Sequence, residues 1–345
     1  MITRIMAPNH DAIQEAARLL RNGMLVAFPT ETVYGLGANA LDSQAVQRIF
    51  EAKGRPGDNP LIVHIAEPSQ LAPLISGTPS EIAGKLMNAF WPGPMTLIFP
   101  KSDSVPGTVT ANLETVAVRI PAHPAARALI AAAGVPIAAP SANRSQRPSP
   151  TEAVHVFEDM DGRIPLILDG GPCDVGVEST VIDVRGAIPR ILRPGGITVE
   201  QVAQIVGAAE VDSAVMRPLC EGEQPRSPGM KYLHYAPRGQ LTIVIGATDN
   251  VIRAISEMYD RALAEGHRPL ILALENHLSA YGERHRASLG SNPKSMAHRI
   301  FALLRSADER GADIILSEAV EANGVGLAVM NRLARAAAFR IIEAQ

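Results

Sequence analysis

Four cations stand where an α/β chain tends to present its ligands. Lys53 and Arg55 close a helical stretch in "EAKGRPGDNP", Arg119 interrupts the apolar run "TVAVRIPA", and Arg193 sits in "RILRPG". An arginine inside an apolar run is very costly to leave unpaired, so Arg119 and Arg193 each require an anion, either an internal Asp or Glu or a bound one. Hydroxyl and amide side chains gather at comparable places. "FPTETVYGLG" presents Thr30, Glu31, Thr32 and Tyr34 before two glycines, Asn59 precedes a strand-like run, and His64 lies inside it. Ser141 and Ser149 lie in the turn-rich "APSANRSQRPSPT", while Ser179 and Thr180 open "STVIDV". Singly, each has a plain structural reading: the helix dipole accounts for cations at 53 and 55, and a lone strand histidine is more often a satisfied core residue. Together they describe a polyanion held by positive charge and hydrogen bonds. No Asp–His–Ser set or carboxylate pair stands out for proton transfer, so the chemistry would rest on positioning.

The common nucleotide and metal signatures are missing. "GTPSEIAGKL" approaches a P-loop, but its glycines are too far apart and Leu86 follows the lysine. "GVGLAV" lacks the third glycine of a dinucleotide turn, and there is no GxSxG elbow. The two cysteines, Cys173 and Cys220, form no CxxC, and no His/Cys/carboxylate spacing suggests a structural metal, so no metal ligands are expected from side chains.

The elements that must position these residues come in two rhythms. Through about residue 207, short apolar runs ("MLVAFP", "LIVHIA", "MTLIFP", "PIAAP", "PLILDGG", "PRILRPG") alternate irregularly with helical stretches such as "HDAIQEAARLLRNG" and "SQAVQRIFEAKG". Ser43 is the expected N-cap of the latter and Gly54 its stop. This reads as an α+β domain on a mixed twisted sheet. From residue 239 the order is regular, βαβαβα, a small parallel Rossmann-like domain. Residues 208–238 form the connection. That connection is unusual, because "SPGMKYLHYAP" places Lys231, Tyr232, His234 and Tyr235 between two prolines, where tethers ordinarily carry Gly, Ser and charge.

Composition limits the partners. With 345 residues, 46% hydrophobic and 19% charged, the chain can fill two cores. Net charge is −3, made of −4 over residues 1–210 and +1 over the remainder. A protein that grips nucleic acid by its backbone shows a basic excess, so strong direct RNA binding is not expected. The amino-terminal segment lacks the pattern of a signal peptide, and no apolar run is long enough to span a bilayer. A cytoplasmic location is expected.

"PTETVYGLG", "KGRP…NPL", "FWPGPMTLI", "VAVRIP", "APSAN", "ESTVID", "ILRPG" and "SPGMKYLHYAP", in this order, resemble the threonylcarbamoyl-AMP synthase family in its long form. That form has a YrdC-like catalytic domain (1–207), a linker (208–238) and a Rossmann-like domain (239–345). The resemblance implies synthesis of L-threonylcarbamoyladenylate from L-threonine, bicarbonate and ATP with release of pyrophosphate, Mg²⁺ arriving on the ATP phosphates. The product would pass to a separate transferase that modifies tRNA next to the anticodon. Residue by residue, it implies threonine binding at Thr32, His64, Arg119, Ala139 and Ser179. ATP binding falls to Arg55, Asn59, Thr115, Ser141, Ser149, Arg193 and Tyr235, with Lys53 and Arg55 as catalytic cations. The linker would act as a lid through Lys231, Tyr232, His234 and Tyr235. Similar sequences often carry glycine at position 146; Gln146 would strain a left-handed turn there. The alternatives are an RNA-binding or regulatory YrdC-like protein, and a carbamoyladenylate-forming relative, which would carry an acylphosphatase and zinc-finger region that this chain lacks.

Overall fold

The short apolar runs of the first two hundred residues align into one sheet. In the computed structural model, which describes residues 1–217 and 234–345, eleven strands form a mixed sheet. Their spatial order is Arg4–Met6, Leu166–Leu168, Val26–Phe28, Gly35–Asn39, Ile137–Ala138, Ile62–His64, Thr115–Arg119, Met95–Pro100, Thr180–Asp183, Arg190–Arg193 and Glu210–Val211. The inner strands are apolar on both sides because both faces are covered. Ala27 belongs to one core with Ile49, Leu97 and Val118, whereas its neighbours Val26 and Phe28 belong to another with Leu20, Leu129 and Ile130. Alternate residues of a strand face opposite ways, so these are the two sides of the sheet.

Local chemistry fixes where the polar residues emerge. Ile62–His64 runs parallel to Thr115–Arg119 with His64 paired to Arg119 in register, which sets both side chains at one strand end. The helix Ser43–Lys53 is capped by Asp42, whose carboxylate accepts from the amides of Gln44 and Ala45. Ser43, expected as the cap, is instead the first helical residue: the carboxylate one position earlier reaches both free amides. Gly54 ends the helix in the left-handed conformation (φ 62°), as expected. Gly195 is required by contact: a Cβ there would sit 2.4 Å from both the Glu178 carbonyl oxygen and the Thr180 nitrogen. Only glycine lets the turn after Arg193 lie against the start of the Thr180–Asp183 strand. Helices that the sequence pattern passed over, Glu81–Phe90, Ala153–Met160 and the single turn Gly107–Thr110, complete the cover.

The described residues divide into two compact units, one of residues 1–145 and 149–217, the other of 146–148 and 234–345. The second unit is a five-stranded parallel sheet in the order Arg286–Gly290, Pro269–Leu274, Ile314–Glu318, Gln240–Ile245, Ile341–Glu343. The expected strand–helix alternation is present, with helices Thr248–Ala264, Pro293–Glu309 and Gly324–Ala336, but two strands exceed the three expected. Both are edge strands, where little apolar alternation is needed. The apolar pattern of "GLAVMNRLARAA" runs on into "FRII" as if one helix. That helix ends at Ala336, and left-handed backbone at Ala338 and Phe339 turns the chain back into a strand.

Within this second unit Tyr235 is buried and left-handed (φ 65°). Its ring lies 5.0 Å from that of Phe301 and under the Arg332 guanidinium at 5.6 Å. Arg305, fully buried, donates to the Pro148 carbonyl at 2.6 Å, and the Ala236 amide donates to the Gln146 carbonyl at 2.8 Å. Among the described residues no helix is long and apolar enough to cross a membrane.

Candidate active site

The polar residues form three hydrogen-bonded groups, the first and third of which are tied together by the segment 30–36. The first is built on Thr30. Its hydroxyl donates to the Val33 carbonyl at 2.6 Å and accepts from the amides of Thr32 and Val33, folding the chain into a tight turn as it leaves the sheet. The turn presents Glu31 and Thr32 to Arg119. Arg119 Nη1 donates to Thr32 Oγ1 at 2.9 Å, its Nε donates to the Gly93 carbonyl at 3.2 Å, and Nη2 lies 2.7 Å from Glu31 Oε1. Both members of this ion pair are buried. Burial works against ionisation of Glu31, but the charge and close approach of the Arg119 guanidinium, helped by the amides of Glu31 and Ala122, outweigh it and hold the carboxyl below its usual range. His64, alongside, is pushed down to about 3, first by burial and then by the Arg119 charge, so the imidazole is neutral at physiological pH. Its Nδ1 has no hydrogen-bond partner among the described residues.

The second group centres on Ser179. Its hydroxyl lies 2.8 Å from that of Thr96 on the neighbouring strand. Arg193 donates to the Ser179 carbonyl from Nε (3.1 Å) and Nη2 (3.0 Å), and from Nη2 to the hydroxyl (3.1 Å). The close approach at Gly195 is what allows this.

The third group is the 139–149 loop. The Gly35–Ser141 bridge and the Ala142 amide bonding to the Tyr34 carbonyl tie it to the first group's strand. Ala139 donates its amide to the Ile62 carbonyl. Lys53, buried at the helix end, donates from Nζ to the carbonyls of Ser141 and Asn143, each at 2.6 Å. Ser141 donates to Asn143 Oδ1, and Ser149 to Glu178 Oε1 at 2.6 Å. Gln146 takes φ 74°, the left-handed turn anticipated at that position.

Arg55 and Asn59 share the loop after the helix, with Arg55 Nη2 3.5 Å from the Asn59 carbonyl. Asn59 is fully buried, yet neither its side-chain oxygen nor its nitrogen finds a partner among the described residues. A buried amide left this way costs about 1–3 kcal/mol per group, which argues for a ligand that completes it. Thr115 begins its strand half-exposed. Lys231 and Tyr232 lie outside the described residues; His234 and Tyr235 belong to the second unit.

Sequence reasoning quoted Glu31 but gave it no role, and it overlooked Thr96, Asn143 and Glu178. Glu31 was within reach, because Arg119 required an anion. Thr96 was not, since it becomes Ser179's neighbour only through pairing of Met95–Pro100 with Thr180–Asp183.

A family model described as "Telomere recombination" matches residues 18–195, and one described as "Threonylcarbamoyl-AMP synthase, C-terminal domain" matches residues 197–338. The threonylcarbamoyl-AMP synthase of Bacillus subtilis (strain 168) is 49% identical over 99% of this chain and 97% of its own length. The protein of that name from Pyrococcus abyssi (strain GE5 / Orsay) is 49% identical over 96% of this chain and 95% of its own. A crystal structure of P. abyssi Sua5 complexed with L-threonine has a TM-score of 0.92 at 47% identity, covering 100% of this chain and 99% of that one.

Proposed function

The chain belongs to the threonylcarbamoyl-AMP synthase family and is a nucleotidyltransferase that makes L-threonylcarbamoyl-AMP; from that premise we propose that the three groups above are its substrate site. The observation that carries this assignment is the buried Arg119, whose guanidinium donates to Thr32 and stands beside the neutral His64. In this reading Arg119 takes the carboxylate of L-threonine, and Thr32, His64, Ala139 and Ser179 surround its side chain. A neutral His64 can meet the substrate hydroxyl without adding charge. ATP would lie against Arg55, Asn59, Thr115, Ser141, Ser149 and Arg193, with Tyr235 contributed by the far end of the linker.

The chemistry then needs little acid–base machinery. Threonine's ammonium and bicarbonate combine to a carbamate, with loss of one water and one proton. A carbamate oxygen attacks the α-phosphorus, and the bond to the pyrophosphate oxygen breaks as pyrophosphate leaves with its electron pair. Nucleophile and target are both anionic, so nearby cations offset their repulsion. Arg55 and Arg193 are the proposed cations. Lys53 bears on the site through the Ser141 and Asn143 carbonyls that its ammonium holds. Mg²⁺ would arrive on the ATP phosphates. Among the described residues no group of three or more His, Cys, Asp or Glu could hold it, and no step here is assigned to it. Closure of the linker segment with Lys231, Tyr232, His234 and Tyr235 would exclude water from a hydrolysable product. The adenylate would pass to a tRNA threonylcarbamoyl transferase in the cytoplasm.

The test is incubation of the full chain with ATP, threonine and labelled bicarbonate. Pyrophosphate and a labelled adenylate should appear together, and Arg119→Gln should raise the KM for threonine far more than that for ATP. Unchanged threonine KM in that variant would overturn the site assignment.

A further inference from the structure

Arg119 requires an anion, and Glu31 provides one at 2.7 Å with both groups buried. The Glu31 carboxylate offers about four acceptor positions; Arg119 and the amides of Glu31 and Ala122 approach it, but none of them meets it as a well-aligned hydrogen bond. Among the described residues around it, His64 is neutral, Thr30 and Thr32 are hydroxyls turned onto each other at 2.9 Å, and Arg119 is the cation. The corner therefore holds one full positive and one full negative charge, side by side. A free α-amino acid carries the same two charges on groups attached to one carbon.

We propose that Glu31 is the receptor for the α-ammonium of the incoming amino acid, so that the buried Arg119–Glu31 pair is a charge template selecting a zwitterion. The proposal rests on reading the Arg119 pocket as the threonine site. Its physical content is that a buried ion pair costs least to open when the group entering returns an opposite charge to each partner. A carboxylic acid without an amine would satisfy Arg119 while stranding Glu31.

The experiment is calorimetric titration of the full-length protein, without ATP, with L-threonine and with 2,3-dihydroxybutanoate of matching stereochemistry. The latter replaces the ammonium by a hydroxyl and keeps the carboxylate and the second hydroxyl. Wild type should prefer threonine by about tenfold or more, the scale of one charge-assisted contact. Glu31→Gln should bring the two ligands within about threefold of each other, whereas Glu31→Asp, which keeps the charge, should preserve most of the preference. Arg119→Gln should weaken both ligands alike. If wild type binds the hydroxy acid as tightly as threonine, the proposal falls whatever the variants do, and it falls equally if Glu31→Gln keeps the wild-type ratio. If Arg119→Gln changes neither affinity, the pocket itself has been misassigned, which is a separate failure.

Discussion

Arg193 donates three hydrogen bonds to Ser179, so in the proposed site it would couple the cation assigned to the phosphates with the residue assigned to threonine. Replacing Arg193 or Arg55 by alanine should remove a charge-assisted contact of about 1.5–3 kcal/mol, lowering kcat/KM for ATP roughly ten- to a hundredfold. Pyrophosphate release at subsaturating ATP measures this, and a wild-type rate in either variant contradicts that residue's role. A pocket that hydrogen-bonds a hydroxyl rejects a substrate lacking it more strongly than it misses a methyl. Valine should therefore turn over far less well than serine, and equal turnover of the two would refute the pocket. His64 makes a prediction about stability. Its folded value of about 3 lies below the ordinary 6.5, so the unfolded chain binds a proton that the folded chain refuses. Its contribution is complete above about pH 6.5 and is lost as pH falls toward 3, with a slope approaching 1.4 kcal/mol per pH unit, about one proton's worth. Glu31, also held low, loses its contribution in the same direction but only below its ordinary 4.5. Urea midpoints between pH 7 and pH 5 should thus fall in wild type and stay flatter in His64→Gln.

At the scale of elements, the site depends on approaches between segments far apart in sequence. Gly195→Ala would drive a methyl into the Glu178 carbonyl and the Thr180 amide. The strand start carrying Ser179 must shift, at a cost of about 1–3 kcal/mol for overpacking, and the hydrogen bonds from Arg193 shift with it. Thermal melts should show the lost stability, and threonine and ATP should both bind more weakly; a variant with unchanged affinities would mean the turn does not set the site. What could be read beforehand follows the same division. Short-range signals were legible: apolar runs marked the strands, Gly54 marked a helix end, and the turn at Gln146 was foreseen from the residue similar sequences carry there. Partners brought by pairing were not. No local pattern places Thr96 against Ser179, or tells that the Lys53 ammonium would be spent on loop carbonyls. Edge strands such as Ile341–Glu343 escaped because an edge needs less of the alternation that betrays a strand. The cap at Asp42 was missed by one position, since serine and aspartate both suit that role and only geometry chooses.

At the scale of the molecule, the boundary between the units is not one cut in the sequence. Residues 146–148 group with the second unit, and the strand Glu210–Val211 still pairs with Arg190–Arg193 in the first. A chain ended after Arg217 keeps that strand and should melt cooperatively. It should nevertheless bind ATP more weakly and lose adenylate to hydrolysis, because Tyr235 is gone and Pro148 has lost Arg305. A shortened chain yielding as much adenylate per ATP as the whole would show that the second unit is dispensable for chemistry. The contact between Arg305 and Pro148 also has a meaning in time. The two residues are 157 positions apart, and at about 5–20 residues per second a ribosome makes the second roughly 8–30 s after the first. Late in that interval, once Val211 has been made, the first unit has all its strands, yet Pro148 still has no Arg305 to bond its carbonyl. The carbonyl of Pro148 thus waits for its donor until the helix Pro293–Glu309 is made, close to the end of synthesis.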